Sequence, residues 1–194
     1  FLCCNSKTNE IYFSNDDYFV YNLPQNKRGV VKLFSIDKGN RIWNLGLSPN
    51  NRYLAIEYVV WGSGFGIKIY DLVSNKMVNE MYTAGKHFQF LGWSNDNHPY
   101  ILQDSIVDID LLTNSVKPIK FNLDENKFNV KQIIHENENS AILLVDRLKY
   151  DTIVKYNVTT STEIARYNFI TKKLDWLTND GSKKEKLSVF IKED

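Results

Sequence analysis

The sequence lacks most of the features that mark specialised classes of protein. Its only two cysteines, Cys3 and Cys4, are adjacent, and neighbouring cysteines do not easily meet the geometry of an unstrained disulfide. A disulfide framework is therefore excluded. The longest strongly apolar runs, residues 58–61 and 141–145, are far shorter than the roughly 20 residues that span a bilayer as a helix. We therefore predict no membrane span.

An excess of charge of either sign is also missing. Lysine and arginine together number 24, aspartate and glutamate number 23, and the formal net charge is +1. A chain with this balance has no overall field that steers it toward nucleic acid or an anionic membrane. We therefore predict no nucleic-acid partner.

Helical periodicity is nearly absent, whereas short apolar runs are frequent. These runs are rich in Ile, Val, Tyr and Phe and are separated by Asn, Asp, Gly, Ser and Lys, a pattern typical of short strands joined by tight turns. The predicted strands include residues 10–13, 53–61, 66–72, 99–103, 106–111, 141–146, 152–156 and 163–169. The sequence therefore predicts an all-β fold.

Two patterns repeat along the chain. One is a strand that ends in a large apolar residue, a small polar residue and another apolar residue before a polar turn, with copies starting at Phe34, Tyr70, Ile109 and Tyr167. The other is a polar turn that leads into a strand, at residues 5–9, 48–51, 94–97, 137–139 and 182–186, about 43 to 46 residues apart. This period, with four strands per unit, is typical of a β-propeller blade, whose faces must pack on neighbouring blades.

We therefore predict a β-propeller of about four blades in a single domain over residues 1–194. The units are approximately 1–46, 47–92, 93–135 and 136–180, with an extra strand in 181–194. Units one and four share an extended middle hairpin, at residues 18–23 and 152–158, and closing strands that carry Trp43 and Trp176. Because the fifth turn lacks a paired strand, the propeller is either closed by that last strand or a fragment of a larger propeller.

Residues 47–56 read LSPNNRYLAI and residues 67–72 read IKIYDL. This combination resembles a blade of the WD40-like or TolB-like propellers, and residues 165–180 are similar to closing strands of TolB and of the propeller of dipeptidyl-peptidase-type enzymes. The chain departs from true WD40 repeats in lacking the Gly-His pair and in having Tyr70-Asp71 where Trp-Asp would stand. The resemblance implies a binding scaffold, with an extracellular or cell-envelope location favoured over a cytoplasmic one.

No residue pattern indicates catalysis. A G-x-S-x-G nucleophile elbow does not occur, and the cysteines lie at one end of the sequence. His87, His98 and His135 fall in or near turns without the spacing of a zinc site. We therefore predict a protein without enzymatic activity, bound metal or cofactor.

One acidic pattern and one glycine-rich pattern have plain structural explanations. Asp104, Asp108 and Asp110 would suit calcium or a carbohydrate, but aspartates at strand ends usually bond turn amides or face water. The glycine-rich run at residues 61–66 joins two predicted strands and opens no helix, so we interpret it as a hairpin loop and not as a phosphate cradle.

Aromatic residues are the remaining candidates for binding. The chain has 11 Tyr, 11 Phe and 4 Trp, so some of these side chains must reach the surface. Candidates for a binding rim are Trp61, Phe65, Tyr82, Phe88 and Trp93. The alternative for each is core packing between blades.

These observations lead to one main hypothesis, a non-enzymatic scaffold that recognises a protein or peptide through loops on one face of the propeller. One alternative is an accessory propeller of a larger peptidase-type enzyme. The other is an envelope-associated propeller that binds carbohydrate.

Overall fold

The computed structural model describes residues 2–5, 8–14, 19–24, 29–37, 39–84 and 88–184. Within these ranges the chain forms sixteen strands and no helix, which confirms the all-β prediction. The chain divides into two compact units, Phe1–Lys117 and Pro118–Asp194. Cys3 and Cys4 are not joined by a disulfide, and the described ranges contain no helix long and apolar enough to cross a membrane.

The first unit holds two complete four-stranded antiparallel sheets and most of a third, each with its strands in chain order. The first sheet consists of β1 (Leu2–Cys4), β2 (Ile11–Phe13), β3 (Phe19–Leu23) and β4 (Val31–Ser35). The second consists of β5 (Asn40–Leu47), β6 (Tyr53–Val60), β7 (Gly64–Asp71) and β8 (Lys76–Ala84). The third consists of β9 (Gln89–Trp93), β10 (Pro99–Leu102), β11 (Ile106–Ile109) and β12 (Val116–Ile119).

The second unit is built on one further meander. Its strands are β13 (Phe128–Asn137), β14 (Ser140–Asp151), β15 (Tyr156–Asn168) and β16 (Leu174–Trp176), and each pairs antiparallel with the next. Its buried centre contains Leu143, Leu144 and Val145 from β14 with Ala165 and Tyr167 from β15.

The same turn closes the hairpin between the third and fourth strands of three sheets. The side-chain oxygens of Asp71, Asp110 and Asn168 accept hydrogen bonds from the N–H groups two and three residues later, at 2.8 to 3.4 Å. The residue four positions on, Asn75, Asn114 or Lys172, has a φ of 55 to 57°. Asparagine tolerates this left-handed conformation better than most residues. This hydrogen-bonded turn therefore accounts for the first of the two sequence patterns, the strand that ends in a polar turn.

The first copy of that repeat was aligned wrongly from the sequence. Phe34 lies in β4, a fourth strand, whereas the third strand of the first sheet ends at Tyr21, Asn22 and Leu23. Similarly, Trp43 lies in the first strand of the second sheet and Trp176 in the last strand of the meander in the second unit. The two tryptophans therefore occupy different strand positions, because the spacing of two residues carries no information on strand order.

Two hydrophobic clusters join the three sheets of the first unit. On β6, Leu54, Ile56 and Tyr58 belong to the cluster shared with the first sheet, whereas Tyr53 and Ala55 belong to the cluster shared with the third. The central strands are thus buried on both faces, which explains their nearly continuous apolar sequence. Burial on both faces is the packing expected of a blade between two others.

Some predicted elements differ from the structure. Residues 152–155 form a turn between β14 and β15 and not a strand, because the Asp151 side chain accepts hydrogen bonds from the N–H groups of Ile153 and Val154. The β-branched residues of this turn had favoured a strand by propensity alone. Tyr18, at the start of the first predicted hairpin, and most of the extra strand predicted in 181–194 lie outside the described residues.

Candidate functional site

Antiparallel order places two kinds of loop at the same end of each sheet. The hairpin between the second and third strands lies at the end where the fourth strand leaves toward the next sheet. In the first unit these loops are the β6–β7 turn, the β10–β11 turn and the connection from β8 to β9. Loops of different sheets can therefore contribute side chains to one site.

A cleft of about 470 Å³ is lined by β8, Phe88 and the β10–β11 turn, and its volume lies within the size range of ligand pockets in proteins. Four consecutive residues of β8 form one side of it. Phe88 and the β10–β11 turn form the rest. The lining residues are Glu80, Met81, Tyr82, Thr83, Phe88, Gln103 and Asp104.

β8 presents different side chains to its two faces. Residues 79, 81 and 83 are half-buried, whereas residues 80, 82 and 84 are exposed. Met81 packs against the cluster shared with the third sheet, and Tyr82 is 47% exposed. β8 is the last strand of its sheet, and no other described strand is hydrogen-bonded to its outer edge.

Glu80 is the charged residue that β8 contributes to the lining of the cleft. Its Oε1 accepts a hydrogen bond from the Tyr58 hydroxyl at 2.8 Å and lies 3.0 Å from Lys68 Nζ. Partial burial alone would raise the pKa of Glu80, but Lys68 and Tyr58 outweigh it and lower that pKa below its ordinary value. Burial, together with the Glu80 charge, raises the pKa of Tyr58. The structure therefore holds Glu80 as a carboxylate.

A glycine makes the Tyr58 position possible. Gly66 lies opposite Tyr58 in the β6–β7 register, and a Cβ at Gly66 would overlap the Tyr58 ring. The missing side chain lets the ring lie across the sheet, so that its hydroxyl reaches Glu80. Gly66 thus belongs to the support of the cleft, although it does not line it.

The structure brings together some of the aromatic residues predicted for a binding rim. Tyr82 and Phe88 both line the cleft, although Phe88 is 1% exposed. Trp61 is 70% exposed in the β6–β7 turn. Phe65 is half-buried in β7 and packs against the core. These two residues do not line the cleft.

Trp93 lies in the core. It is 6% exposed and makes an edge contact with Phe90, with 5.6 Å between ring centroids. Its Nε1–H donates a hydrogen bond to the carbonyl oxygen of Gly46 at 3.1 Å. Because the ring is buried and its N–H is hydrogen-bonded, Trp93 is a core residue and does not belong to the candidate site.

Sequence reasoning missed most of the polar lining. Glu80, Thr83 and Gln103 were not singled out, and Asp104 was considered only for calcium or a carbohydrate. The one local signal was Lys68, a charged residue within an otherwise apolar strand, which the structure shows to be the partner of Glu80. The contribution of Gln103 comes from another sheet, and no local pattern indicates it.

The other polar candidates lie elsewhere. His98 Nδ1 is 2.9 Å from an Asp108 oxygen, and Asp110 caps the turn after β11. His135 stacks on Phe169, with 5.1 Å between ring centroids, and His87 lies outside the described residues. In the part of the chain that the structure describes, no three His, Cys, Asp or Glu side chains are grouped to hold a metal ion.

No family model and no curated protein matches the sequence, but solved structures match the fold. The tricorn protease matches with a TM-score of 0.67 and 13% identity, over 92% of this chain and 22% of that chain. A putative TolB from Agrobacterium tumefaciens matches with a TM-score of 0.63 and 11% identity, over 90% of this chain and 63% of that chain. The fold is that of a β-propeller.

A chain from the mitotic checkpoint complex also matches, with a TM-score of 0.51 and 15% identity, over 90% of this chain and 63% of that chain. The predicted resemblance to TolB-like and WD40-like propellers is thus confirmed at the level of fold. This chain spans from about a fifth to somewhat under two thirds of the structures named here.

Proposed function

We propose that this propeller is a non-enzymatic binding module that holds an extended segment of a protein or peptide in the cleft beside β8. The observation that carries the proposal is that residues 80–83, four in a row on an outer strand, line the cleft. An extended peptide can add to the edge of a sheet through main-chain hydrogen bonds, while adjacent pockets select its side chains. An outer strand that lines a cleft provides both elements.

The chemistry of the lining favours a ligand with a basic and an apolar side chain. Glu80 is held as a carboxylate, and Asp104 adds a second acidic group. Tyr82 offers an exposed ring, which attracts cations as well as apolar groups. Met81 and Phe88 provide the apolar part of the lining.

The lining also supports binding over catalysis. Among the residues that the structure describes, those that line the cleft include no histidine, cysteine or serine, three of the residue types that serve as nucleophile or base. Glu80 is held in its charged form by Lys68 and Tyr58. A carboxylate fixed in this way suits the recognition of a cation.

The test is selection from a displayed library of random peptides, followed by affinity measurements with fluorescence polarisation. We expect selected peptides to contain a basic residue beside an apolar one. Tyr82→Ala should weaken their binding by about tenfold or more, the effect usual for a central aromatic contact. Trp43→Ala is the matched control, since Trp43 is an exposed aromatic residue of a strand that does not line the cleft. Equal affinity of the Tyr82 variant and the wild type would refute the proposed site.

A second candidate is an accessory propeller of a larger peptidase-type enzyme. The fold likeness to the tricorn protease supports it, because this chain matches only 22% of that protein. The complete reading frame is the test: a hydrolase sequence in the same frame would support this candidate, and its absence would reject it. The fold likeness to a putative TolB supports a cell-envelope or extracellular location, which fractionation of cells that make the natural protein would test.

A further inference from the structure

The hairpin of β14 and β15 extends beyond the other strands of its sheet. β13 pairs with β14 only as far as Arg147, and β16 pairs with β15 only at residues 165–167. Residues 148–158 therefore form a two-stranded arm that, among the described residues, no further strand flanks. At about 3.3 Å per residue, the four residues from 148 to 151 extend it by about 13 Å. Its base is fixed by a hydrogen bond from the N–H of Leu148 to the carbonyl oxygen of Lys127.

The tip of the arm is a closed turn. The N–H groups of Ile153 and Val154 donate hydrogen bonds to Asp151 Oδ1, at 2.7 and 3.2 Å. The N–H of Lys155 donates to the Asp151 carbonyl oxygen at 2.9 Å. This turn holds Ile153 outward, 88% exposed, beside the 43% exposed Val154. The apolar tip is thus organised before it meets any partner.

Two exposed tyrosines flank the tip, one on each face of the arm. Tyr150 is 58% exposed and Tyr156 is 60% exposed. Tyr156 pairs with Asp151, the residue after Tyr150, and successive residues of a strand point to opposite faces. Apolar side chains therefore surround the tip. A folded partner would contact mainly one face, whereas a lipid headgroup layer surrounds whatever enters it.

Exposed lysines complete the arrangement. Lys149 lies beside Tyr150, and Lys155 lies beside Tyr156. Within residues 148–158 these two lysines outnumber the single acidic residue, Asp151, whose side chain accepts the hydrogen bonds of the turn. Asp124 at the base lies 3.2 Å from Lys127. Aliphatic side chains that enter lipid, tyrosines at the interface and lysines that reach phosphates match the order of groups at a bilayer surface.

We propose that residues 148–158 bind an anionic lipid surface, with Ile153 and Val154 inserted into the headgroup layer. Tyr150 and Tyr156 lie at the interface, and the two lysines contact lipid phosphates. The overall charge of +1 does not indicate this, because it averages the tip with the rest of the chain. None of these residues lines the cleft beside β8, and neither proposal depends on the other.

The first unit provides a matched control. Val73 occupies the same position in its turn as Ile153 and is 76% exposed. Its N–H donates to Asp71 Oδ1 at 2.9 Å, as the N–H of Ile153 donates to Asp151. Tyr70, the counterpart of Tyr150, is only 7% exposed. Val73 therefore has the turn and the exposure without the flanking exposed tyrosines.

The test is co-sedimentation of the whole chain with phosphatidylcholine vesicles, prepared with and without phosphatidylserine. We expect binding to the anionic vesicles and little to the neutral ones. Ile153→Asp should lower the partition coefficient by about tenfold or more, since burial of an isoleucine corresponds to at least that factor. Val73→Asp should bind as the wild type does. Circular dichroism spectra of the variants verify that both retain the fold.

A second measurement uses Tyr156→Trp, with the wild type as the reference for the emission of the native tryptophans. The difference between the emission spectra of the variant and the wild type reports on the new tryptophan. It should shift to shorter wavelength when anionic vesicles are added, because the indole ring leaves water. Failure of the wild type to bind, equal losses in the two aspartate variants, or an unshifted difference spectrum despite sedimentation would each overturn the proposal. Binding of the arm to a protein and not to vesicles would overturn it in favour of a protein docking site.

Discussion

Glu57 gives the sharpest prediction of how stability depends on pH. It lies in β6, is 2% exposed, and accepts hydrogen bonds from the Phe90 N–H and the Asn44 side chain. Burial outweighs these hydrogen bonds and raises the pKa of Glu57 from its ordinary 4.5 to about 7. In the folded state the carboxyl group therefore holds its proton to a higher pH than in the unfolded state.

The sign and magnitude follow from proton linkage. A raised folded-state pKa contributes stability that is complete below about pH 4.5 and is lost as the pH rises toward about 7. At ~1.4 kcal/mol per pH unit, the rise corresponds to about 3 kcal/mol. Glu57→Gln keeps an oxygen for the Phe90 N–H but cannot ionise. We therefore expect the free energy of unfolding of the variant, relative to wild type, to increase by about 3 kcal/mol from acid to neutral pH.

Urea unfolding followed by tryptophan fluorescence measures this difference, and the buried Trp93 in the same unit is a suitable reporter. Both proteins would be compared at several values between about pH 5 and pH 8. Glu163→Gln is the control. Thr178 and the Gly181 N–H lower the pKa of Glu163 below its ordinary 4.5, so the stability that this carboxylate contributes is already complete above about pH 4.5. The free energy of unfolding of this variant, relative to wild type, should therefore stay constant between about pH 5 and pH 8. A Glu57→Gln difference that stays constant over this range would refute the reasoning.

Two further variants test the packing at Gly46 and the ion pair between Arg52 and Asp71. A Cβ at Gly46 would overlap the ring of Phe90, so Gly46→Ala should cost about 1–3 kcal/mol in urea unfolding, and an unchanged midpoint would contradict the packing. Asp71 accepts hydrogen bonds from Arg52 Nε and Nη2 at 3.2 and 2.9 Å, which lower its pKa to about 2. Its contribution is therefore present above its ordinary pKa of 3.8 and lost as the pH falls through about 2. Arg52→Gln should move this loss to higher pH in an acid titration, and an unmoved transition would exclude the ion pair as its cause.

The match between sequence and structure is best where an interaction is local. The turns that follow Asp71 and Asp110 are closed by contacts within four residues, so short motifs revealed them and their period. The same motif at Asp151 was overlooked, because the β-branched residues after it favoured a strand. Side-chain hydrogen bonds to the backbone thus outweighed strand propensity at that turn.

The candidate site was less accessible to sequence reasoning. Tyr82 and Phe88 were proposed as binding residues, and the structure places both at one cleft, where ligand binding stays a prediction. Trp93 was proposed with them, yet its ring is buried and its N–H is bonded to Gly46. In a strand that is buried on both faces, apolar and polar residues do not alternate. The sequence therefore does not show toward which face an aromatic side chain points.

The sequence by itself determined that the chain is an all-β repeat protein, because alternation and turn chemistry act over a few residues and recur in every unit. Tertiary structure alone decided which residues meet. It paired Lys68 of β7 with Glu80 of β8, and it placed Gln103 of the β10–β11 turn beside β8. It also left the arm at residues 148–158 without flanking strands among the residues described. These outcomes depend on how strands of different length pair and how sheets pack, and a local pattern carries neither.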